Sequence, residues 1–219
     1  MPQAEQFFSQ SKTSLKVCGI TQTSDAEKLV ELGIEALGIN FWEKSKRYCS
    51  PTQASEFIPF TKGKILRVGV FVNATEQEVL QCFHNDLIEV AQFHGDESNA
   101  FLKQFATHNL PFIKAIGVKN LNDLENLTQF HTPYLLLDAH APGVYGGTGE
   151  TIDWKIAADA VSKNSDFHLI LAGGITPDNA SEATKEVRPC ALDVASGAEL
   201  KPGIKDLDKV RALMDAIKV

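Results

Sequence analysis

No stretch of the chain approaches the roughly eighteen uninterrupted apolar residues of a membrane-spanning helix, so a protein that does not cross a bilayer is expected. Cysteine is sparse and dispersed. Cys18, Cys49, Cys82 and Cys190 form no CxxC pair, which indicates neither a disulfide framework nor a zinc site and fits a reducing cytoplasm. Basic residues are outnumbered, 21 Lys and Arg against 28 Asp and Glu, and a formal net charge of −7 argues against broad surfaces for nucleic acid or an anionic membrane. No GxGxxG follows the first apolar run, so the fingerprint of a dinucleotide-binding open sheet is missing. Residues 1–14 are polar apart from Phe7 and Phe8, lack the basic-then-apolar layout of a secretory signal, and are expected to form a short N-terminal extension.

What is present is an ordinary globular composition, 43% hydrophobic and 22% charged, in 219 residues that suit one large core. From Leu15 onward, short runs rich in Val, Ile and Leu alternate with segments of helical periodicity. Strands are expected at Leu15–Gly19, Ala36–Phe41, Leu66–Val72, Glu89–Phe93, Phe112–Gly117, Tyr134–Asp138, Leu169–Gly173 and Ala191–Ala195, each followed by a helix. Their near-continuous apolarity suits strands covered on both faces. Helix starts are marked by Thr23-Ser24-Asp25, Ser50-Pro51, Asn73-Ala74-Thr75 and Thr176-Pro177, and Gly33 closes the first helix. Eight such units predict an α/β fold, a single (βα)₈ barrel over residues 15–219. The glycine-rich Ala139–Thr151 is expected to be a functional loop or lid.

In such a barrel the chemistry lies at strand C-termini, which narrows the candidates. Cys18 ends the first strand before a turn glycine, and a neighbouring cation or helix N-terminus would bring its thiol toward neutrality as a base; it reads equally well as a small buried hydrophobe. Asp138 ends the sixth strand at the glycine-rich loop, where exclusion of water would let it keep a proton as a general acid; the alternative is a turn acceptor. Gly173-Gly174 and Ser196-Gly197 end adjacent strands with small residues whose backbone N–H groups suit a phosphate, although a lone Gly-Gly is also a tight turn. Arg47, in a basic stretch of the second loop, suits a substrate carboxylate, whereas Lys44 and Lys46 read as solvated charges. Gln92 and His94 are placed to bond ligand or line the mouth, and Asp193 to bind substrate or orient its loop.

These segments together resemble phosphoribosylanthranilate isomerase, the barrel enzyme of tryptophan biosynthesis. The likeness runs in order through LKVCGIT (15–21), GINFWEKSKRYCSP (38–51), RVGVFVN (67–73), AQFHGDE (91–97), LLLDAHAPGVYGGTGETIDW (135–154), LAGGITPDN (171–179) and LDVASGAELKPGIKD (192–206). Two departures, Phe93 in the QFHG segment and Ala195 with Ala198 in the last, touch the fit of the pocket. The resemblance implies an Amadori rearrangement of N-(5-phosphoribosyl)anthranilate without a cofactor or metal. It assigns Asp138 as acid, Cys18 as base, Arg47 to the anthranilate carboxylate, and the Gly173-Gly174 and Ser196-Gly197 loops to the phosphate. The expected partner is a small phosphosugar, with no nucleic acid or membrane, and the assembly a monomer or homodimer.

Three rival readings remain at this level. The histidine-pathway isomerase typically uses aspartates at the ends of its first and fifth strands, where this chain has Cys18 and Lys114-Ala115-Ile116. An aldolase would use Lys114 or Lys16 as a Schiff-base nucleophile. A phosphate-binding pseudoenzyme would bind without turnover.

Overall fold

A computed structural model describes residues 2–139 and 152–218, and within them all eight expected strands form. They are β1 (Ser14–Cys18), β2 (Ala36–Asn40), β3 (Leu66–Phe71), β4 (Val90–Phe93), β5 (Phe112–Val118), β6 (Tyr134–Ala139), β7 (His168–Leu171) and β8 (Ala191–Val194). Neighbours in sequence pair in parallel and β8 closes onto β1, giving a closed barrel in the order β1 to β8. The two faces of each strand explain the apolar runs. On β5, Phe112 and Ile116 join the outer core beneath the helices, while Ile113 and Ala115 join the inner cluster of the barrel.

Covering helices span Thr23–Leu32, Pro51–Ser55, Ile58–Thr61, Glu76–His84, Asn99–Thr107, Trp154–Lys163, Ala180–Val187 and Leu207–Ala216. Ser50 and Thr75 each make a reciprocal capping box, with Gln53 and Glu78, and Gly33 closes its helix at φ 77°. Two starts differ from expectation. The first helix begins at Thr23 itself, so Asp25 lies in its first turn, and the seventh begins only at Ala180, after a turn through Pro177.

After β5 the expected helix is replaced by two short 3₁₀ helices, Leu121–Leu124 and Leu127–Phe130. Their apolar residues recur every three positions, at 121, 124, 127 and 130, which matches the three residues per turn of a 3₁₀ helix and gives no continuous α-helical face. Of the glycine-rich segment expected to be a lid, Ala139 ends β6 and the rest lies outside the described residues.

The N-terminal segment enters the barrel from below. Helix α1 (Pro2–Phe7) delivers Phe7 and Phe8, 0% and 3% exposed, into the inner cluster with Ala36, Leu66, Val90, Ile113 and Ala191. Those residues lie at or next to the N-terminal ends of their strands, so the two rings fill the end opposite the strand C-termini. Phe8 stacks on Tyr134 at 3.8 Å, and its carbonyl accepts a hydrogen bond of 2.7 Å from His168 Nδ1.

Candidate active site

At the C-terminal mouth a cavity of about 360 Å³ is lined by Cys18, Arg47, Gln92, His94, Asp138, Gly173, Gly174, Asp193 and Ser196 among others. Nine of the ten residues singled out from sequence therefore converge on one space. The tenth, Gly197, sits behind Ser196 in the 3₁₀ turn Ser196–Ala198 and packs against the backbone of Ile175 so closely that a Cβ would collide with its carbonyl oxygen. The loops after β7 and β8 thus pack on each other through that glycine. Gly173 and Gly174 both take positive φ, 84° and 59°, and Asn179 fixes their loop, accepting from Thr176 N at 2.8 Å and donating to Gly174 O at 2.9 Å.

Cys18 ends the inward face of β1, where Ser14, Lys16 and Cys18 point to the barrel axis and Leu15 and Val17 to the outer core. Room for its side chain comes from Gly38, its register partner on β2: a Cβ there would lie 2.6 Å from Sγ. The thiol's ionisation departs from expectation. Burial pushes it above the ordinary thiol value, outweighing the pull of Lys16 and Lys205 in the opposite direction, while Asp193 adds to the upward push. Expelling water from the thiol costs the anion more than these cations return.

Asp138 Oδ1 accepts from its neighbour's amide, Ala139 N, at 2.8 Å, and Oδ2 faces His94 Nε2 at 3.3 Å. His94 Nδ1 in turn meets Gln92 Nε2 at 3.2 Å, and Gln92 Oε1 is buried at the cavity wall without a hydrogen-bond partner among the described residues. Gln92, His94 and Asp138 are therefore one chain of contacts, a link the sequence spacing did not reveal.

The least anticipated feature is the clamp on Arg47. Its Nε donates to both oxygens of Glu199, at 2.9 and 3.1 Å, and Nη2 donates to Oε2 at 2.8 Å. Glu199 opens β9 (Glu199–Lys201), which pairs with β10 (Ile204–Lys205) in a hairpin after β8. From β10, Lys205 Nζ donates to Glu199 Oε1 at 2.7 Å and to the Cys18 carbonyl at 2.6 Å. Burial alone would raise the Glu199 carboxyl, yet the bonds from Arg47 and Lys205 hold it below the usual carboxylate range. Sequence reasoning assigned Glu199 and Lys205 no role. Their signal was two charges of opposite sign in a short Pro-Gly hairpin following the last strand.

Both lysines proposed for Schiff-base chemistry are engaged elsewhere. Lys114 faces outward from the barrel axis and pairs with Glu97 at 2.7 Å, away from the cavity lining. Lys16 pairs with Asp193 at 2.9 Å, and that carboxylate together with Cys18 raises the ammonium above its ordinary value against the opposing effect of burial, so Lys16 offers no neutral amine. Among the described residues no group of three or more His, Cys, Asp or Glu is arranged to hold a metal ion, and no helix is long and apolar enough to cross a membrane.

A family model described as N-(5'-phosphoribosyl)anthranilate (PRA) isomerase matches residues 15–216. A protein from Trichlorobacter lovleyi named N-(5'-phosphoribosyl)anthranilate isomerase is 40% identical over 197 residues, which are 90% of this chain and 94% of that one. Among solved structures, phosphoribosyl anthranilate isomerase from Thermotoga maritima superposes with a TM-score of 0.84 at 35% identity, covering 94% of this chain and 98% of the other. A phosphoribosyl anthranilate isomerase in complex with reduced 1-(o-carboxyphenylamino)-1-deoxyribulose 5-phosphate gives 0.81 at 33% identity with the same coverage.

Proposed function

The chain belongs to the N-(5'-phosphoribosyl)anthranilate isomerase family, and on that premise we propose that its barrel mouth performs an Amadori rearrangement with Asp138 as acid and Cys18 as base. It is an isomerase of tryptophan biosynthesis. The observation that carries the residue assignment is that one cavity is lined by a thiol, a carboxyl group, an arginine and two small-residue loops. Those are the groups that a substrate with a carboxylate at one end and a phosphate at the other requires.

Asp138 protonates the furanose oxygen as the C1–O bond breaks, and the nitrogen lone pair forms a C1=N iminium. The positive nitrogen acidifies the hydrogen on C2. Cys18, as thiolate, takes that proton; the C–H electrons become the C1=C2 bond of an enolamine and neutralise the nitrogen. Return of a proton to C1 and loss of one from the C2 hydroxyl give the ketone, 1-(2-carboxyphenylamino)-1-deoxyribulose 5-phosphate. No electrons leave the substrate, so the sequence of steps needs no cofactor.

Arg47 presents its guanidinium to the anthranilate carboxylate, with Glu199 behind it fixing the orientation. The backbone of Gly173-Gly174 and Ser196-Gly197 receives the phosphate, and Gln92, His94 and Asp193 receive the sugar between them. Fixing both ends holds the reacting carbons between acid and base. The reading takes the protein as a monomer or homodimer in a reducing cytoplasm, with no nucleic acid or membrane as partner.

The test is turnover of freshly made phosphoribosylanthranilate, followed by loss of its fluorescence. Removing an acid or base should cost roughly 100- to 10,000-fold, so Cys18→Ala and Asp138→Asn are expected to fall into that range. Near-wild-type rates in both variants would remove the assignment.

A further inference from the structure

Lys16 is 0% exposed and does not line the cavity, yet it carries a charge into the interior of the barrel. An ammonium there is costly to bury, and an apolar side chain would fill the inner layer at less expense, as Val68, Val90 and Ile113 do on other strands. Its position limits what it can do. It lies two residues before Cys18 on the inward face of β1 and opposite Asp193 in the β1–β8 register. Its Nζ donates to Asp193 Oδ1 at 2.9 Å, and from the same face of β1 the ammonium acts electrostatically on the Cys18 thiol two residues on.

The other charges acting on the thiol come from every wall around it. Asp193 on β8 opposes the anion, Lys205 on β10 favours it, and Arg47 from the loop after β2 interacts with it from the cavity side. Across the mouth lie His94 and Asp138. Of the cations, Arg47 and Lys205 are bonded to Glu199, and Lys205 spends a further bond on the Cys18 carbonyl. Lys16, bonded to Asp193, favours the anion more strongly than Lys205 does.

We propose that Lys16 is a positioning residue for the base: its buried ammonium, anchored by Asp193 across the barrel seam, is the counter-ion against which Cys18 gives up its proton. The inference rests on the reading of Cys18 as the catalytic base. It goes beyond that reading by naming the cation that makes the thiolate accessible in a site where burial disfavours it.

Thiolate formation can be followed without turnover, through the pH dependence of alkylation by iodoacetamide, a neutral reagent. Cys49, Cys82 and Cys190 are buried, whereas Cys18 is half-buried at the cavity wall, so Cys18 is the reporter and Cys18→Ala supplies the background. Losing an opposite charge at this range shifts a pKa by about one to three units, so Lys16→Met should slow alkylation at pH 8 by at least about tenfold and displace its profile upward. Lys16→Met/Asp193→Asn, which leaves no unpaired carboxylate, should shift in the same direction by less. Lys16→Arg should return the profile toward wild type.

If Lys16→Met loses the fold, Lys16→Gln, whose amide still donates to Asp193, takes its place. A profile of the folded neutral variant superimposed on wild type overturns the proposal, as does Lys16→Arg behaving like the neutral variant. Turnover by Cys18→Ala decides the base assignment separately, because the alkylation profile reports the Lys16–Cys18 interaction whether or not that thiol is catalytic.

Discussion

The two aromatic rings that close the bottom of the barrel should carry a large share of its stability and little of its catalysis. Phe8→Ala deletes a side chain 3% exposed, stacked on Tyr134 at 3.8 Å and set edge-on to Phe7 at 4.9 Å. Truncating a buried phenylalanine costs about 3–5 kcal/mol, and the closed ring of strands leaves little freedom to collapse into the space. For a domain of this size each kcal/mol lowers Tm by roughly 2–4 °C, so a drop of about 6–20 °C is expected. Phe7→Ala should cost a similar amount. The double variant should lose less than the sum, because the rings touch and share one cavity.

Urea unfolding followed by far-UV circular dichroism gives the free energy, and turnover at 25 °C should stay within about twofold because the catalytic mouth is at the opposite end. An unchanged denaturant slope with a loss under about 1 kcal/mol would refute the reasoning: residues 1–14 would then be an appendage laid over a barrel that is complete without them.

Four further outcomes are expected. Glu199→Gln should raise KM about tenfold with a smaller change in kcat, since Arg47 keeps its charge but loses its clamp; an unchanged KM would separate Arg47 from substrate binding. The same variant leaves Lys205 without its carboxylate and should cost about 3–5 kcal/mol at neutral pH, measured by urea unfolding. Because the folded-state pKa of Glu199 lies below its unfolded value, its contribution is complete above the ordinary carboxylate value of about 4.3 and is lost as pH falls through the folded value. Wild-type stability should therefore decline more steeply below about pH 4 than that of Glu199→Gln, and parallel acid limbs would contradict the assignment. Gly38→Ala places a Cβ 2.6 Å from Cys18 Sγ and 3.0 Å from its Cα, so it should displace the thiol and cut turnover at least tenfold at a cost of about 1–3 kcal/mol, compared by kinetics and unfolding of the same preparation.

The strands were legible because burial on both faces writes an apolar run whatever lies around it, and the helix starts at Ser50 and Thr75 were legible because a capping residue is a local signal. The connection after β5 was not, although its signal is present. Leucines at 121, 124 and 127 and Phe130 look helical until the strict spacing of three is noticed, and Asn126, at φ 55°, breaks the segment in two. Phe7 and Phe8 were visible as the apolar exceptions in a polar segment, but nothing local distinguishes rings that plug a barrel from rings that lie on its surface.

The site divides along the same line. Cys18 and Asp138 could be placed from sequence because a strand end is a local property, and the alternation on β1 already puts Lys16 and Cys18 on one face. The partners of Arg47, Lys16 and Cys18 are 150 to 190 residues away: Glu199 is 152 positions from Arg47, Asp193 is 177 from Lys16 and Lys205 is 187 from the Cys18 carbonyl it holds. These contacts exist only because β8 returns to β1, so the seam that closes the barrel is also where the charges around the thiol are assembled. The chain's late segment therefore sets the chemistry of an early one. A change in the hairpin Glu199–Lys205 that left all eight strands intact should still disturb both Arg47 and Cys18, whereas an equal change in the 3₁₀ segment after β5 should disturb neither.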